Sequence, residues 1–373
     1  MEVHRIRAVA DRIVAQVGRD MFGLETEVRL CLAAVYGNGH VLLEGNPGLG
    51  KTELVKALAQ ALGLPHGRIQ FTPDLMPADI TGTLMLNDGG RLAFRGGPIF
   101  TSLLLGDEIN RATPKTQSAM LEGMAENTVT VLGEKHELPR PFTVLATQNP
   151  IDHEGTYNLP AAQADRFMMK LRMPLPGAGI VVDIGTKRSS NPRATDGAAG
   201  PATAVPEASA PALTAQESVA TIGRAIRDIA LLPDVTTHIR NIYLAAARRF
   251  TELGSTAGTS SEIEDVARQF QYGISPRAVG DIMLATKAWV CLAKDAGEVD
   301  DKGSARHLEA VVVQSLRHRL RLDEGSAAYD EAIAARRDPE ASLDDYIRKL
   351  CVLTAPTGST YDKHWQNWAT WSA

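Results

Sequence analysis

The chain has 373 residues, of which 44% are hydrophobic and 22% charged, and its formal net charge at pH 7 is −5. This composition is typical of a globular protein with apolar material for two or three domains. The negative charge argues against a nucleic-acid partner. No apolar run reaches about 18 residues, so we predict no membrane span.

Cysteine usage and the N-terminal residues together predict a cytoplasmic protein. Cys31, Cys291 and Cys351 are far apart and odd in number, so they form neither a disulfide framework nor a Cys-x-x-Cys metal pattern. Glu2 and Asp11 stand among the N-terminal arginines, which is not typical of a transit peptide.

The N-terminal part predicts two helices and a buried strand. Residues 1–37 form two segments with helical spacing of apolar residues, broken near Gly23. Residues 40–44 are a short, mostly apolar run that we interpret as a strand. Residues 53–62 again have helical spacing, so the loop between 44 and 53 joins a strand to a helix.

That loop fits the phosphate-binding pattern G-x-x-x-x-G-K-[ST]. Glycines let the backbone turn its N–H groups toward phosphate oxygens, and the helix that follows adds its positive N-terminal end. A chance glycine-rich turn would not be expected to carry a Lys-Thr pair between a strand and a helix. We therefore predict that nucleotide phosphates are held by Gly45, Asn46, Pro47, Gly48, Leu49, Gly50, Lys51 and Thr52, with Mg²⁺ on the Thr52 hydroxyl.

The segment 102–108 predicts a second buried strand, which ends in Asp107 and Glu108. Alone, these acids could be a solvated strand end. Following a phosphate loop, they indicate that Asp107 holds Mg²⁺ through its waters and that Glu108 orients and polarises the attacking water. Asn149 ends a further strand over 142–147, which predicts a polar side chain beside the γ-phosphate.

The remaining pattern of the first half predicts an α/β fold. Residues 68–71 predict a strand, 73–82 a loop, 114–124 and 159–167 helices, and 168–173 a last strand. Two β-hairpins are predicted near 83–95 and 128–139. Alternating strands and helices imply a parallel sheet covered by helices on both faces.

The second half differs in composition. Residues 176–213 are rich in alanine and proline and predict a linker, with an ordered surface loop as the alternative. Residues 214–322 have helical periodicity throughout and predict an all-α domain. The tail, 323–373, carries Trp365, Trp368 and Trp371 at spacing that places them near one helix face. That face either docks on the chain's own core or binds a partner.

Four segments resemble the MoxR family of AAA+ ATPases: 45–52, 103–126, 142–167 and 273–278. The resemblance implies an AAA+ core over 1–175 and a helical lid, with ATP between them. It also implies that the hairpins project toward the central pore of a ring, although they could simply edge the sheet.

The same resemblance implies roles for individual residues. Lys51 and Thr52 match Walker A, and Asp107 and Glu108 match Walker B. The remaining matches are Asn149 as sensor 1, Arg166 as an arginine finger for the neighbouring subunit, and Arg277 as sensor 2 on the lid. For Arg166 the alternative is a structural salt bridge, and for Arg277 a surface arginine at a helix start.

These matches together imply an ATP-hydrolysing, Mg²⁺-dependent homo-oligomer, expected to be a hexameric ring. The resemblance further implies a protein client that is remodelled or receives a metal cofactor, and a partner with a von Willebrand factor A-type domain. A phosphotransferase and a nucleotide-switched scaffold with little turnover remain as alternatives. Phosphate release without an acceptor would separate hydrolysis from both.

Overall fold

The computed structural model describes residues 2–19, 21, 23–46, 48–86, 91–149, 157–175, 177, 179, 181, 214–294, 301–358 and 360–371. Its strands are β1 Val41–Glu44, β2 His66–Gln70, β3 Gly82–Leu86, β4 Leu92–Gly96, β5 Leu103–Asp107, β6 Thr128–Val131, β7 Glu134–Glu137, β8 Thr143–Gln148 and β9 Met169–Arg172. Its helices in the first half are α1 Val3–Val17, α2 Glu25–Gly37, α3 Lys51–Leu62, α4 Pro77–Thr81, α5 Pro114–Glu126 and α6 Ala161–Ala164. Those in the second half are α7 Ala215–Arg227, α8 Pro233–Ala246, α9 Ser260–Ala267, α10 Pro276–Leu292, α11 Ala305–Leu316, α12 Ala327–Ala334, α13 Pro339–Thr354 and α14 Thr360–Trp371.

Five parallel strands form the central sheet, in the order β2-β5-β8-β1-β9. Successive side chains of each strand enter different clusters: Leu43 and Leu105 pack on one face, and Leu42 and Leu104 on the other. Both faces are therefore covered, which confirms the predicted α/β fold class. The register aligns the carboxyl ends of β1, β8 and β9, because Glu44 pairs with Gln148 and with Arg172.

The two predicted hairpins form as the separate two-stranded sheets β3-β4 and β6-β7. They contact each other through Phe94 and His136, whose rings stack with centroids 3.7 Å apart. Leu86, Leu92 and Leu132 remain at least 65% exposed at the hairpin ends.

The C-terminal helical region, residues 214–371, has a hydrophobic cluster of its own. Side chains from α8 to α11 share that cluster with α13 and α14. Trp365 on α14 is completely buried, against His238 of α8 at 4.5 Å between ring centroids. The predicted tail thus packs on the preceding helices, although the side chain of Trp371 lies outside the described residues. Among the helices described, none is long and apolar enough to cross a membrane.

Two segments differ from the sequence-based expectation. Residues 77–81 form helix α4 where a loop was predicted; Pro77 opens the helix, and the Asp79 carboxylate accepts the backbone N–H of Met76. The helix predicted over 159–167 is limited to Ala161–Ala164. Pro47, residues 87–90 and, apart from residues 177, 179 and 181, the predicted linker 176–213 lie outside the described residues.

Candidate active site

A cavity of about 280 Å³ opens at the carboxyl ends of the central strands. Parallel strands bring their carboxyl ends to one edge, which explains why residues distant in sequence meet there. The cavity is lined by Gly48, Gly50, Lys51, Thr52, Glu53, Asp107, Glu108 and Asn149. Most of the predicted phosphate, metal and water-orienting residues therefore lie around one space.

The phosphate loop has the backbone conformation that its glycines permit. Gly48 and Gly50 have φ angles of +83° and +76°, a region that other residues rarely adopt. The Lys51 ammonium donates to the carbonyl of Gly45 over 2.6 Å. Burial lowers the pKa of Lys51, while Asp107 and Glu108 oppose that shift. Asn46 is exposed in the loop, and Leu49 packs against the adjacent core cluster.

The residues fit a magnesium ion. The Thr52 hydroxyl donates to Asp107 Oδ2 over 3.2 Å. A hydroxyl and a carboxylate oxygen this close together are the hard donors that would hold Mg²⁺, directly or through its waters. Burial alone would raise the pKa of Asp107, but hydrogen bonds from Thr147, Arg68 and Thr52 hold it below its ordinary value. Asp107 is therefore ionised at neutral pH.

Glu108 follows Asp107 in a left-handed conformation, with φ of +57°, which is uncommon for a residue other than glycine. Its backbone N–H donates to the Thr147 hydroxyl over 2.8 Å. Its carboxylate accepts from Gln70 over 3.0 Å and from Arg111 over 2.9 Å. The strained backbone thus turns this carboxylate toward the cavity, where two side chains hold it.

Three supporting residues were missed by the sequence reasoning, in addition to the contact of Arg111 with Glu108. Arg68 and Gln70 alternate along β2 and contact Asp107 and Glu108 from the neighbouring strand. Thr147 lies at the end of β8, two residues before Asn149, and is fully buried. The only available signal was their position near the ends of predicted strands.

The structure separates both candidate arginines from this cavity. Arg166 donates to the carbonyl oxygen of Leu121 at the side of the core. Arg277 is exposed at the start of α10, where Ser275 donates to both carboxylate oxygens of Asp165 over 2.8 and 2.9 Å. Neither arginine is among the residues that line the cavity, all of which belong to the core.

A network of charged side chains, in which Glu44 and Lys170 are buried, lies directly behind the phosphate loop. Glu44, the residue before Gly45, is 2.6 Å from Lys170 and 3.4 Å from Arg172. Lys170 and Arg172 also contact α13, so they connect β1, the strand before the phosphate loop, to the C-terminal helical region. The acids of that helix that bind them are Glu340 and Asp344, and Asp344 is also bound by Arg317.

Comparison with known proteins agrees with this geometry. Residues 40–169 match the family described as "ATPase family associated with various cellular activities (AAA)". The chain is 46% identical over 177 residues to Chaperone MoxR1 of Mycobacterium tuberculosis, covering 47% of this chain and 46% of that protein. It is 29% identical over 324 residues to Protein MoxR of Paracoccus denitrificans, covering 83% and 87%. The family match and these relatives together support a MoxR-type AAA+ ATPase.

A solved structure extends the likeness beyond the core. A protein from Cytophaga hutchinsonii that is assigned as an ATPase superposes with a TM-score of 0.72 at 29% identity, covering 93% of this chain and 96% of that one. The likeness thus includes the C-terminal helical region. The aligned part spans about half the length of MoxR1 and of two further curated relatives, at 54% and 51%.

Proposed function

We propose that the chain hydrolyses ATP to ADP and phosphate at the cavity beside the phosphate loop. The observation that carries this proposal is the convergence of Lys51, Thr52, Asp107, Glu108 and Asn149 on one space. Bound Mg²⁺ would neutralise phosphate charge there, held by Thr52 and Asp107. Glu108 would orient the attacking water, and Asn149 would help to place that water against the γ-phosphate.

We propose further that a neighbouring subunit completes the site. A developing charge on the transferred phosphoryl group needs an arginine, which can contribute about 10³–10⁵-fold in rate. Neither Arg166 nor Arg277 lines the cavity of its own chain. A ring, expected to be hexameric, would bring the surface of one subunit that carries Arg166 against the cavity of the next.

The work of the ring is proposed to be the remodelling of a protein client. Support comes from the hairpins, whose ends expose Leu86, Leu92 and Leu132, since exposed apolar side chains suit contact with another protein. Leu86 and Leu92 lie opposite each other in the register of β3 and β4. Further support is the name of the relative MoxR1, a chaperone. Metal-cofactor insertion and a partner with a von Willebrand factor A-type domain are proposed from the family resemblance. The cytoplasm is the proposed compartment, because the three cysteines are buried and free, which fits a reducing environment.

Two variants test hydrolysis against its alternatives. Lys51→Ala should lose nucleotide binding, and Glu108→Gln should bind ATP and release no phosphate. Lys56→Ala is the matched control, because Lys56 lies on the same helix in an exposed pair with Glu53. Phosphate release that requires an added acceptor would favour a phosphotransferase. Tight ATP binding by the unaltered chain without release would favour a nucleotide-switched scaffold, and both results would contradict the proposal.

A further inference from the structure

A buried arginine of the C-terminal helical region reaches into the segment that carries Arg166. Arg319 follows α11, and its side chain is 1% exposed. Its Nε donates to Asp165 Oδ1 over 2.8 Å, and its Nη2 donates to the carbonyl oxygen of Phe167 over 2.8 Å. Arg166 thus lies between two residues that Arg319 binds.

The same guanidinium also binds the helix on which Arg277 lies. Nη2 of Arg319 contacts Asp281 Oδ2 on α10, one turn beyond Arg277. Ser275, at the start of that helix, binds Asp165 directly. The five N–H groups of an arginine have fixed directions, so this arrangement determines how the core segment and the helix lie against each other.

The opposite charges of Arg319 and its two acidic partners, Asp165 and Asp281, stabilise one another at this junction. Burial raises the pKa of Asp281, and the nearby Arg319 guanidinium opposes that shift. A buried arginine without acidic partners would be strongly destabilising, so Asp165, Asp281 and Arg319 depend on one another. None of the three lines the nucleotide cavity, so binding of nucleotide phosphates does not account for them.

We propose that Arg319 is a positioning residue for Arg166, and that through it the helical region of one subunit controls the arginine that this subunit presents to the next. The inference rests on the proposed function, because it requires Arg166 to act in a neighbour's site. A movement of α10 or α11 against the core has to carry the Asp165–Phe167 segment with it or break the contacts of Arg319. In the first case Arg166 moves with the segment, and in the second the residues on either side of it lose the contacts that hold them.

Arg319→Lys tests this proposal, since lysine keeps the charge and loses the fork that reaches several acceptors at once. A misplacement of about 1 Å at a reacting group can cost about 10²-fold. We expect kcat to fall by about 10²-fold, with KM for ATP within about twofold of the unaltered protein. The variant's own Lys51 and Glu108 remain intact, so its nucleotide binding is preserved.

The decisive readout is recovery in mixed assemblies. Arg319→Lys subunits mixed with Glu108→Gln subunits should regain phosphate release above the sum of the two, because the second supplies a well-placed Arg166 to the first. Arg166→Ala mixed with Glu108→Gln is the reference. Arg29→Lys is the control: Arg29 is also buried and joins α2 to the carbonyl of Leu292 on α10, away from Asp165. It should remain active alone.

The outcomes separate the inference from the proposed function. Full activity of Arg319→Lys alone overturns the inference, and so does a lack of recovery where Arg166→Ala recovers. If Arg166→Ala fails to recover as well, the arginine in trans is wrong and the inference loses its basis. Should Arg319→Lys not fold, Asp281→Asn decides: we expect about a tenfold loss of kcat with the same recovery, and unchanged activity overturns the inference.

Discussion

The Thr147 hydroxyl joins the two acidic residues of the site, and Thr147→Val removes only that hydroxyl. It donates to Asp107 Oδ1 over 2.7 Å and accepts the backbone N–H of Glu108 over 2.8 Å. Valine retains the branched shape, so the packing around this fully buried position changes little. It leaves a buried carboxylate with one donor fewer and a strained N–H without its acceptor.

The expected size of the effect follows from the lost contacts. A hydrogen bond to a charged group contributes about 1.5–3 kcal/mol. At about 1.4 kcal/mol for each factor of ten, kcat/KM should fall about 10- to 100-fold. The pKa of Asp107 should also rise, because its charged form loses a stabilising donor, so activity on the acid side should disappear at a higher pH.

Phosphate release measured against pH and Mg²⁺ concentration checks both effects. Thr143→Val is the matched control: Thr143 lies on the same strand and is equally buried, and its hydroxyl has no hydrogen-bond partner among the described residues. The control should keep kcat/KM within about twofold of the unaltered chain. A Thr147→Val protein within about threefold of this control, with an unmoved acid limb, would refute the reasoning.

Three further predictions concern stability. Glu44→Gln should lower the free energy of unfolding, measured by urea titration, by about 3–5 kcal/mol, because buried Lys170 loses its nearest counter-charge. The exposed Glu53→Gln is the control and should lose less than about 1 kcal/mol; equal losses in the two variants would contradict the prediction. Trp365→Ala should cost about 3–5 kcal/mol in the same assay, since the indole is fully buried, and a loss below about 1 kcal/mol would mean that the tail does not dock. Burial lowers the pKa of His238 to about 3, so as the pH falls the unfolded chain takes up a proton on this imidazole before the folded chain does. The free energy of unfolding should therefore fall below about pH 6.5, by up to about 1.4 kcal/mol per pH unit. Equal stability at about pH 7 and pH 5 would exclude this effect.

The part of the site that could be predicted from the sequence is the part that is contiguous in the chain or lies at strand ends. Gly45 to Thr52 is one uninterrupted loop, and its motif carries its own mechanism. Asp107 and Asn149 could be brought to that loop because parallel strands share their carboxyl edge. The fold class followed from the same alternation of strands and helices.

The supporting contacts could not be predicted, because they depend on which side chains meet in three dimensions. Arg319 binds Asp165 across 154 positions of sequence, and no pattern links the two. The same contact gives a reason for the shortened helix α6. Arg319 also takes carbonyl oxygens of Asp165 and Phe167, which a longer helix would use for its own hydrogen bonds. The periodicity of apolar residues within one segment does not show that a distant side chain will bind its backbone carbonyl oxygens.

The measurement that tests the account most directly is the mass of the Glu108→Gln protein by light scattering, with and without ATP and Mg²⁺. This variant should bind nucleotide without consuming it, so an assembly that nucleotide holds together should persist. We expect a shift from the 40.1 kDa chain or a small oligomer to about six times that mass when ATP and Mg²⁺ are added. A chain that binds ATP and stays monomeric under both conditions would contradict a site completed by a neighbouring subunit.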